Sequence, residues 1–281
     1  MRIALIANPA SRSSDPERVE AELRAAGGEV TRVDLDAAGG DAASGAERVA
    51  VAGGDGTVGP AAAAARGAGV PLAVIPVGTA NDFARRMSLP RNLREACRLA
   101  VRGQRLRALE LGTMAPGGRP FVNVASLGLP AAAAGHARSW KRGLGPLAYV
   151  AGAVQAGLTA DPVQCRATCE ENRLHDGSAW QVTVACSGAF GAGSRLEQAD
   201  PADGLLDVVA IAAGSRLRLV GIGYGLRRGR LHGRHGVRHA RGRHAAIEVP
   251  GVATFNVDGE LVRTASAGFT VEGRAFELVV G

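Results

Sequence analysis

The apolar run Val49-Ala50-Val51-Ala52 leads straight into Gly53-Gly54-Asp55-Gly56-Thr57, and this junction restricts the possible folds more than any other stretch. A short apolar run ending in glycines reads as a buried strand whose loop lets the backbone approach a ligand closely. A helix is predicted to follow, so its N-terminal amides and positive dipole end would face the same point and favour an anion. Thr57 adds a hydroxyl, and Asp55 can orient a metal-bound water or hold the loop. A plain turn needs one or two glycines rather than this pattern, so the residues imply a nucleotide-phosphate loop.

The surrounding chain supplies a frame for such a loop. Residues 2–7 read as a strand broken by Asn8-Pro9, and Asp15 can cap a helix that has Pro16 at its first position and Gly27-Gly28 at its end. Further strands are expected over 30–35, 48–52 and 72–77, with a short helix over 42–47 and an Ala-rich one over 60–66. The fourth strand runs into Gly78-Thr79-Ala80-Asn81-Asp82. This alternation implies a parallel sheet with helices on both faces. Ligands of open parallel sheets bind outside the carboxyl ends of strands, so the loops at Asn8, Gly53 and Gly78 point to one pocket. After about residue 105 the strands come with few helices between them: 121–126, 163–169, 179–186, 205–211, 245–249, 254–257 and two short ones over 268–280. Only 144–158 and 216–228 read as helices there, which predicts a mainly antiparallel second domain.

Composition narrows the class. The 281 residues suit two domains, and 46% hydrophobic content excludes global disorder. The net charge of +7 is carried almost wholly by arginine, Lys141 being the only lysine. A basic surface suits anionic partners, but no aromatic-plus-basic or zinc-finger pattern points to nucleic acid. Cys97, Cys165, Cys169 and Cys186 form no disulfide or zinc pattern and read as small buried hydrophobes of a reduced compartment. The apolar N-terminal run is too short for a signal peptide, and the longest apolar stretch, 143–160, falls short of the roughly 20 residues of a membrane span. A cytoplasmic protein is expected, with peripheral membrane contact at most. Residues 227–244 hold seven arginines and four histidines, which reads as an exposed helix end and hairpin or as a contact with anionic lipid.

Taken in order, Asn8-Pro9, Gly53–Thr57, the run from Pro76 through Gly78-Thr79-Ala80-Asn81-Asp82 to Arg85, Lys141-Arg142-Gly143-Leu144-Gly145 with Tyr149, Asp203-Gly204-Leu205-Leu206-Asp207-Val208, and Asp258-Gly259-Glu260 resemble the diacylglycerol kinase catalytic family. These are bacterial lipid kinases that share a fold with sphingosine and ceramide kinases. The first glycine motif alone is weak, since NAD kinases and phosphofructokinases carry versions of it; the ordered set spans nearly the whole chain. The resemblance implies an α/β nucleotide domain of the NAD kinase/phosphofructokinase type over 1–110, rejoined by 266–281, and a β-sandwich substrate domain over 111–265, with the active site in the cleft between them. It implies ATP bound by Asn8, Gly53, Gly54, Gly56, Thr57, Gly78, Thr79 and Asn81, and Asp55, beside them, is expected to be catalytic. It matches Glu260 to the general base, and Asp200, Asp203 and the carbonyl of Leu205 to a structural Mg²⁺ site. The implied acceptor is a lipid alcohol such as diacylglycerol. A soluble alcohol such as NAD or a natural product, a non-catalytic nucleotide- or lipid-binding regulator, and a homodimer all stay open. The chain departs from the family at Val58-Gly59-Pro60, where an Asn-Glu pair is usual. It also lacks the usual threonine before the shortened helix and the usual Ala-Pro lead into Asp203.

Overall fold

The computed structural model describes residues 1–7, 15–34, 43, 45–133, 159–190, 194–196, 198–216, 219, 221 and 233–281. They form two compact units: Met1–Leu111 with Gly273–Gly281, and Gly112–Glu272.

The first unit opens with β1 (Arg2–Ala7), α1 (Pro16–Ala25), β2 (Glu29–Val33), β3 (Arg48–Gly53), α2 (Asp55–Ala68), β4 (Leu72–Pro76), α3 (Asp82–Arg86) and α4 (Leu93–Arg102). Asp15 caps α1 by accepting the N–H groups of Glu17 and Arg18, and Asn92 caps α4 by accepting that of Glu95. The strands β2, β1, β3 and β4 are parallel neighbours in that order. Ile3, Leu5, Ala50, Ala52, Ala73 and Ile75 turn one sheet face to Val19 and Leu23 of α1 and to Ala96, Cys97, Ala100 and Val101 of α4. Strand alternation sends Val49, Val51 and Val74 to the other face, where α2 packs. Arg48 is buried and donates to the carbonyls of Ala100 (2.5 Å) and Gly103 (2.9 Å), tying the start of β3 to the end of α4.

The expected helix over 60–66 begins earlier, at Asp55, which leaves Pro60 inside α2. Pro60 has no N–H to give to the carbonyl four residues back. The short helix expected over 42–47 is not seen at the described positions 43 and 45–47, where the chain turns and Gly45 has φ +80°.

The second unit contains the end of β5 (Arg105–Ala115), then β6 (Arg119–Phe121), β7 (Val124–Gly128), β8 (Val163–Cys169), β9 (Asn172–Ala185), β10 (Ala189–Phe190), β11 (Ser194–Arg195), β12 (Leu206–Ala212), β13 (Val237–Gly242), β14 (His244–Val257) and the first part of β15 (Glu260–Val280). Its pairings are antiparallel, in the order β13, β12, β9, β7, β14, β15. β8 pairs with both β9 and β14, so these two long strands are joined at one end by β7 and at the other by β8. Met114, Phe121, Val182, Val184, Leu206, Val208, Phe255 and Phe269 fill the interior, with Phe121 meeting Phe269 edge-on at 6.2 Å. Each such side chain contributes about 1.5–3 kcal/mol on burial.

Here the structure joins strands that the sequence reading separated. The two strands expected at 245–249 and 254–257 are one, β14, with a register shift between Glu248 and Ala253 where Pro250-Gly251 bulges out. The two expected over 268–280 are likewise one, β15, which carries a left-handed residue, Arg274 (φ +54°), next to the unit boundary. The strand expected at 121–126 is broken at Val122-Asn123. The helix expected over 144–158 lies outside the described residues, as does most of that over 216–228.

Candidate active site

Parallel register brings the loops of the first unit together. Ala7 lies beside Ala52, and Gly53 beside Pro76, so β1, β3 and β4 end at one edge. Asn8 lies outside the described residues. At that edge the two glycine loops touch: a Cβ on Gly78 would stand 2.4 Å from the Cα of Gly54, a distance no side chain allows. Gly53 is equally crowded, because a Cβ there would meet the Thr57 hydroxyl at 2.0 Å. The Asp55 carboxylate accepts the Phe83 N–H at 2.8 Å and so bonds one loop to the other.

Within the second loop Asn81 adopts a left-handed backbone (φ +51°) and holds Gly78 from both sides, accepting its N–H (3.0 Å) and donating to its carbonyl (2.7 Å). Arg85 clamps the same loop through the Ala80 carbonyl and the Asp82 carboxylate. Thr57 is buried and donates its hydroxyl to the Gly54 carbonyl at 2.7 Å. Thr79 is exposed at the loop tip. Gly53, Gly54, Asp55, Val58, Pro76, Asn81 and Phe83 line a shallow depression. The N-terminus of α2 opens at this depression. Fixed backbone donors around a concavity suit an anion's oxygens. The side chains of Asp55, Thr57 and Asn81 hold the cradle's shape, a role the sequence suggested only for Asp55.

Glu260 stands in the second unit as the exposed first residue of β15, paired with Val257 across a two-residue turn. Asp258 (φ +48°) and Gly259 (φ +94°) give that turn the doubly left-handed backbone that Asp-Gly favours. The Asp258 carboxylate is buried and accepts the N–H groups of Val122 (2.8 Å), Asn123 (3.1 Å) and Val124 (2.9 Å). Asn256 accepts the Gly259 N–H at 2.9 Å. Sequence reasoning passed over Asn123, Asn256 and the Asp258 carboxylate, because a turn motif shows nothing of its distant partners.

The acidic loop after β11 is organised by its own chain. Asp200 accepts the Ala202 N–H at 3.2 Å, and one Asp203 oxygen accepts the Leu205 N–H at 2.9 Å. The other Asp203 oxygen pairs with the Arg241 guanidinium, which also reaches the buried Asp207 at 3.4 Å. His239 donates to Asp207 at 2.6 Å. Burial works against the charge on Arg241, but Asp207 and Asp203 outweigh it and hold its pKa above the ordinary arginine value. Among the described residues no three His, Cys, Asp or Glu side chains gather as a metal cage. Of the donors implied for Mg²⁺ at Asp200, Asp203 and the Leu205 carbonyl, the Asp203 carboxylate is taken by the Arg241 guanidinium and the Leu205 N–H. The Arg/His-rich segment resolves in the same way over its described part: β13 pairs with β12, and Arg234 and Arg238 donate to the carbonyls of Gly221 and Leu174.

Residues 2–114 match the family described as diacylglycerol kinase catalytic domain. Residues 123–280, more than half of the chain, match the family described as YegS C-terminal NAD kinase beta sandwich-like domain. The chain belongs to the YegS-type diacylglycerol kinase family. A relative from Pseudomonas aeruginosa named "Probable lipid kinase YegS-like" is 34% identical over 170 residues, 59% of this chain and 55% of the relative. The match thus spans about half the length of that relative. A "Diacylglycerol kinase" of Mycobacterium tuberculosis is 28% identical over 228 residues, 78% of this chain and 72% of its own. A solved diacylglycerol kinase from Bacillus anthracis superposes with TM-score 0.79 at 21% identity, covering 100% of this chain and 97% of its own. An NAD kinase from Archaeoglobus fulgidus solved with ATP gives TM-score 0.57 at 13% identity, covering 99% and 93%. At these identities the structures speak for the fold alone: an α/β domain followed by a family-typical β-sandwich. No helix among the described residues is long and apolar enough to cross a membrane.

Proposed function

We propose that this chain is an ATP-dependent lipid kinase that transfers the γ-phosphate to the hydroxyl of a diacylglycerol-like alcohol. The observation that carries the reading is the pair of glycine loops held Cα against Cα and bonded through Asp55 and Phe83. Glycine at position 78 lets the two loop backbones approach closely enough for their amides to face one ligand. The family membership and the relatives' names support the same chemistry.

ATP, carrying its own Mg²⁺, would lay its phosphates over Gly53, Gly54, Gly56 and Gly78, with Thr79 at the rim. Glu260 would accept the proton of the acceptor hydroxyl as that oxygen bonds to the γ-phosphorus. The bond to the β-phosphate oxygen breaks and ADP leaves. Labelled ATP presented with diacylglycerol vesicles and, separately, with soluble alcohols tests the acceptor. Label confined to the aqueous fraction would rule out a lipid product. Glu260→Gln should lower turnover by roughly 100-fold or more, as for removal of a general base; full turnover in that variant would remove Glu260 from the role.

One observation favours a second reading. Gly59 and Pro60 stand inside α2 where the family usually has Asn and Glu, directly behind the first loop. A nucleotide-binding regulator without turnover would show calorimetric ATP binding and no labelled product from any lipid pool.

A further inference from the structure

An Asp-Gly hairpin turn needs left-handed backbone at both positions, and Asp-Gly supplies it without burying the carboxylate. Turn aspartates ordinarily face water or their own backbone. Asp258 does neither. The residue is 7% exposed, and its carboxylate accepts three consecutive amides, Val122, Asn123 and Val124, where the chain passes from β6 into β7. Its own N–H returns to the Val124 carbonyl at 3.0 Å.

The receiving segment is itself held. Ser187 donates its hydroxyl to the Asn123 side chain at 2.6 Å, and the amides of Cys186 and Ser187 donate to the carbonyls of Asn123 and Val122. The other side of the turn is pinned too: Asn256 accepts the Gly259 N–H and donates to the Pro130 carbonyl at 3.4 Å. The two residues before Glu260 are therefore both fixed, through Asp258 and through Gly259, while Glu260 itself is exposed. Charge-assisted bonds from fixed amides are the strong kind, and a hairpin tip would otherwise be among the most mobile parts of a sheet.

We propose that Asp258 is the positioning residue for Glu260, with Asn256 as the second anchor of the same turn. This rests on the reading of Glu260 as the base. Asp258 touches no substrate; it acts by setting where the Glu260 carboxylate can reach.

The test is a double-mutant cycle on the full chain, with labelled ATP and dioctanoylglycerol micelles. Asp258→Asn removes the charge and turns an NH₂ group toward the amide donors. It should lower kcat roughly 10- to 100-fold, the scale for a misplaced catalytic group, and leave the KM for ATP within about two-fold. In the Glu260→Gln background the same change should cost almost nothing further. An equal loss in both backgrounds would overturn the positioning role and leave only a structural one. Full activity of Glu260→Gln alone would instead sink the base assignment. If Asp258→Asn does not fold, Asn256→Ala carries the same cycle, since it frees the Gly259 N–H and keeps the three-amide clamp. Amide hydrogen exchange gives a readout that needs no acceptor. Exchange at 258–260 should quicken at least about ten-fold in Asp258→Asn while β12 stays unchanged. Unaltered exchange at the turn would refute the proposal by itself.

Discussion

The Asp55 carboxylate and the Phe83 N–H lie 2.8 Å apart, joining the start of α2 to the start of α3. The bond closes a contact that two glycines already require, so the cradle's shape depends on an acidic side chain. Asp55→Ala should lose about 1.5–3 kcal/mol of stability, the range for a hydrogen bond to a charged group. It should also weaken binding of a non-hydrolysable ATP analogue at least ten-fold. Asp55→Asn keeps an acceptor and should recover most of that affinity. Calorimetry in which Asp55→Ala binds as tightly as the native chain would show that the loops hold each other without it.

Gly78→Ala puts a methyl group 2.4 Å from the Gly54 Cα, and backbone cannot swing aside as a long side chain can. Nucleotide binding should fall below detection while the second unit keeps its fold. Gly67 provides the control, since a Cβ there meets nothing within 4 Å and the residue lies within α2. Gly67→Ala should stabilise the protein by about 0.5–1 kcal/mol from helix propensity alone. If both variants bind nucleotide alike, the close approach of Gly54 and Gly78 has no functional weight.

The parallel half was legible because punctuation and period agree there. Each apolar run ends at a polar or glycine loop, and Asp15, Pro16 and Gly27 mark a helix at both ends. The glycine loops were legible for the same reason. The long strands β14 and β15 were not, since Pro250, Gly251 and Arg274 carry the signs of strand ends while the ladder continues past them. Arg241 was also invisible in its role. Its partners are 38 and 34 residues away, and in an arginine-rich stretch nothing distinguishes it from its neighbours. The same holds for Asp258, whose amide partners lie 134 to 136 residues earlier. Spacing reports local geometry; these contacts are made by the sheet.

Arg241 neutralises Asp203 and Asp207 from within the chain, so stability should not call on a divalent ion. In nucleotide-free protein, chelation with EDTA or addition of millimolar Mg²⁺ should leave Tm unchanged within about 1 °C, since no ligand-linked stabilisation applies. Arg241→Met strands the buried Asp207 with His239 and should cost about 1–3 kcal/mol, below the cost for a fully buried pair because Arg241 is partly exposed. A native Tm that climbs with Mg²⁺ would place an ion at Asp203 and displace the guanidinium.

The cysteines make alkaline stability a test of the first unit's core. Burial pushes the Cys97 thiol up to about 12, with Glu22 adding to the effect. Cys165, in the second unit, is raised by burial and by Asp176 to about 11. Both start from an ordinary value of 9.0. Above that pH the unfolded chain releases thiol protons that the folded chain keeps, so the unfolded state binds fewer protons and stability falls as pH rises. The contribution is whole below pH 9 and is lost progressively toward pH 11 to 12. Cys97→Ala lacks one of these groups, so its urea midpoint should fall less between pH 8 and pH 10.5 than that of the native chain. Parallel decline in the two proteins would mean that Cys97 does not keep its proton in the folded state.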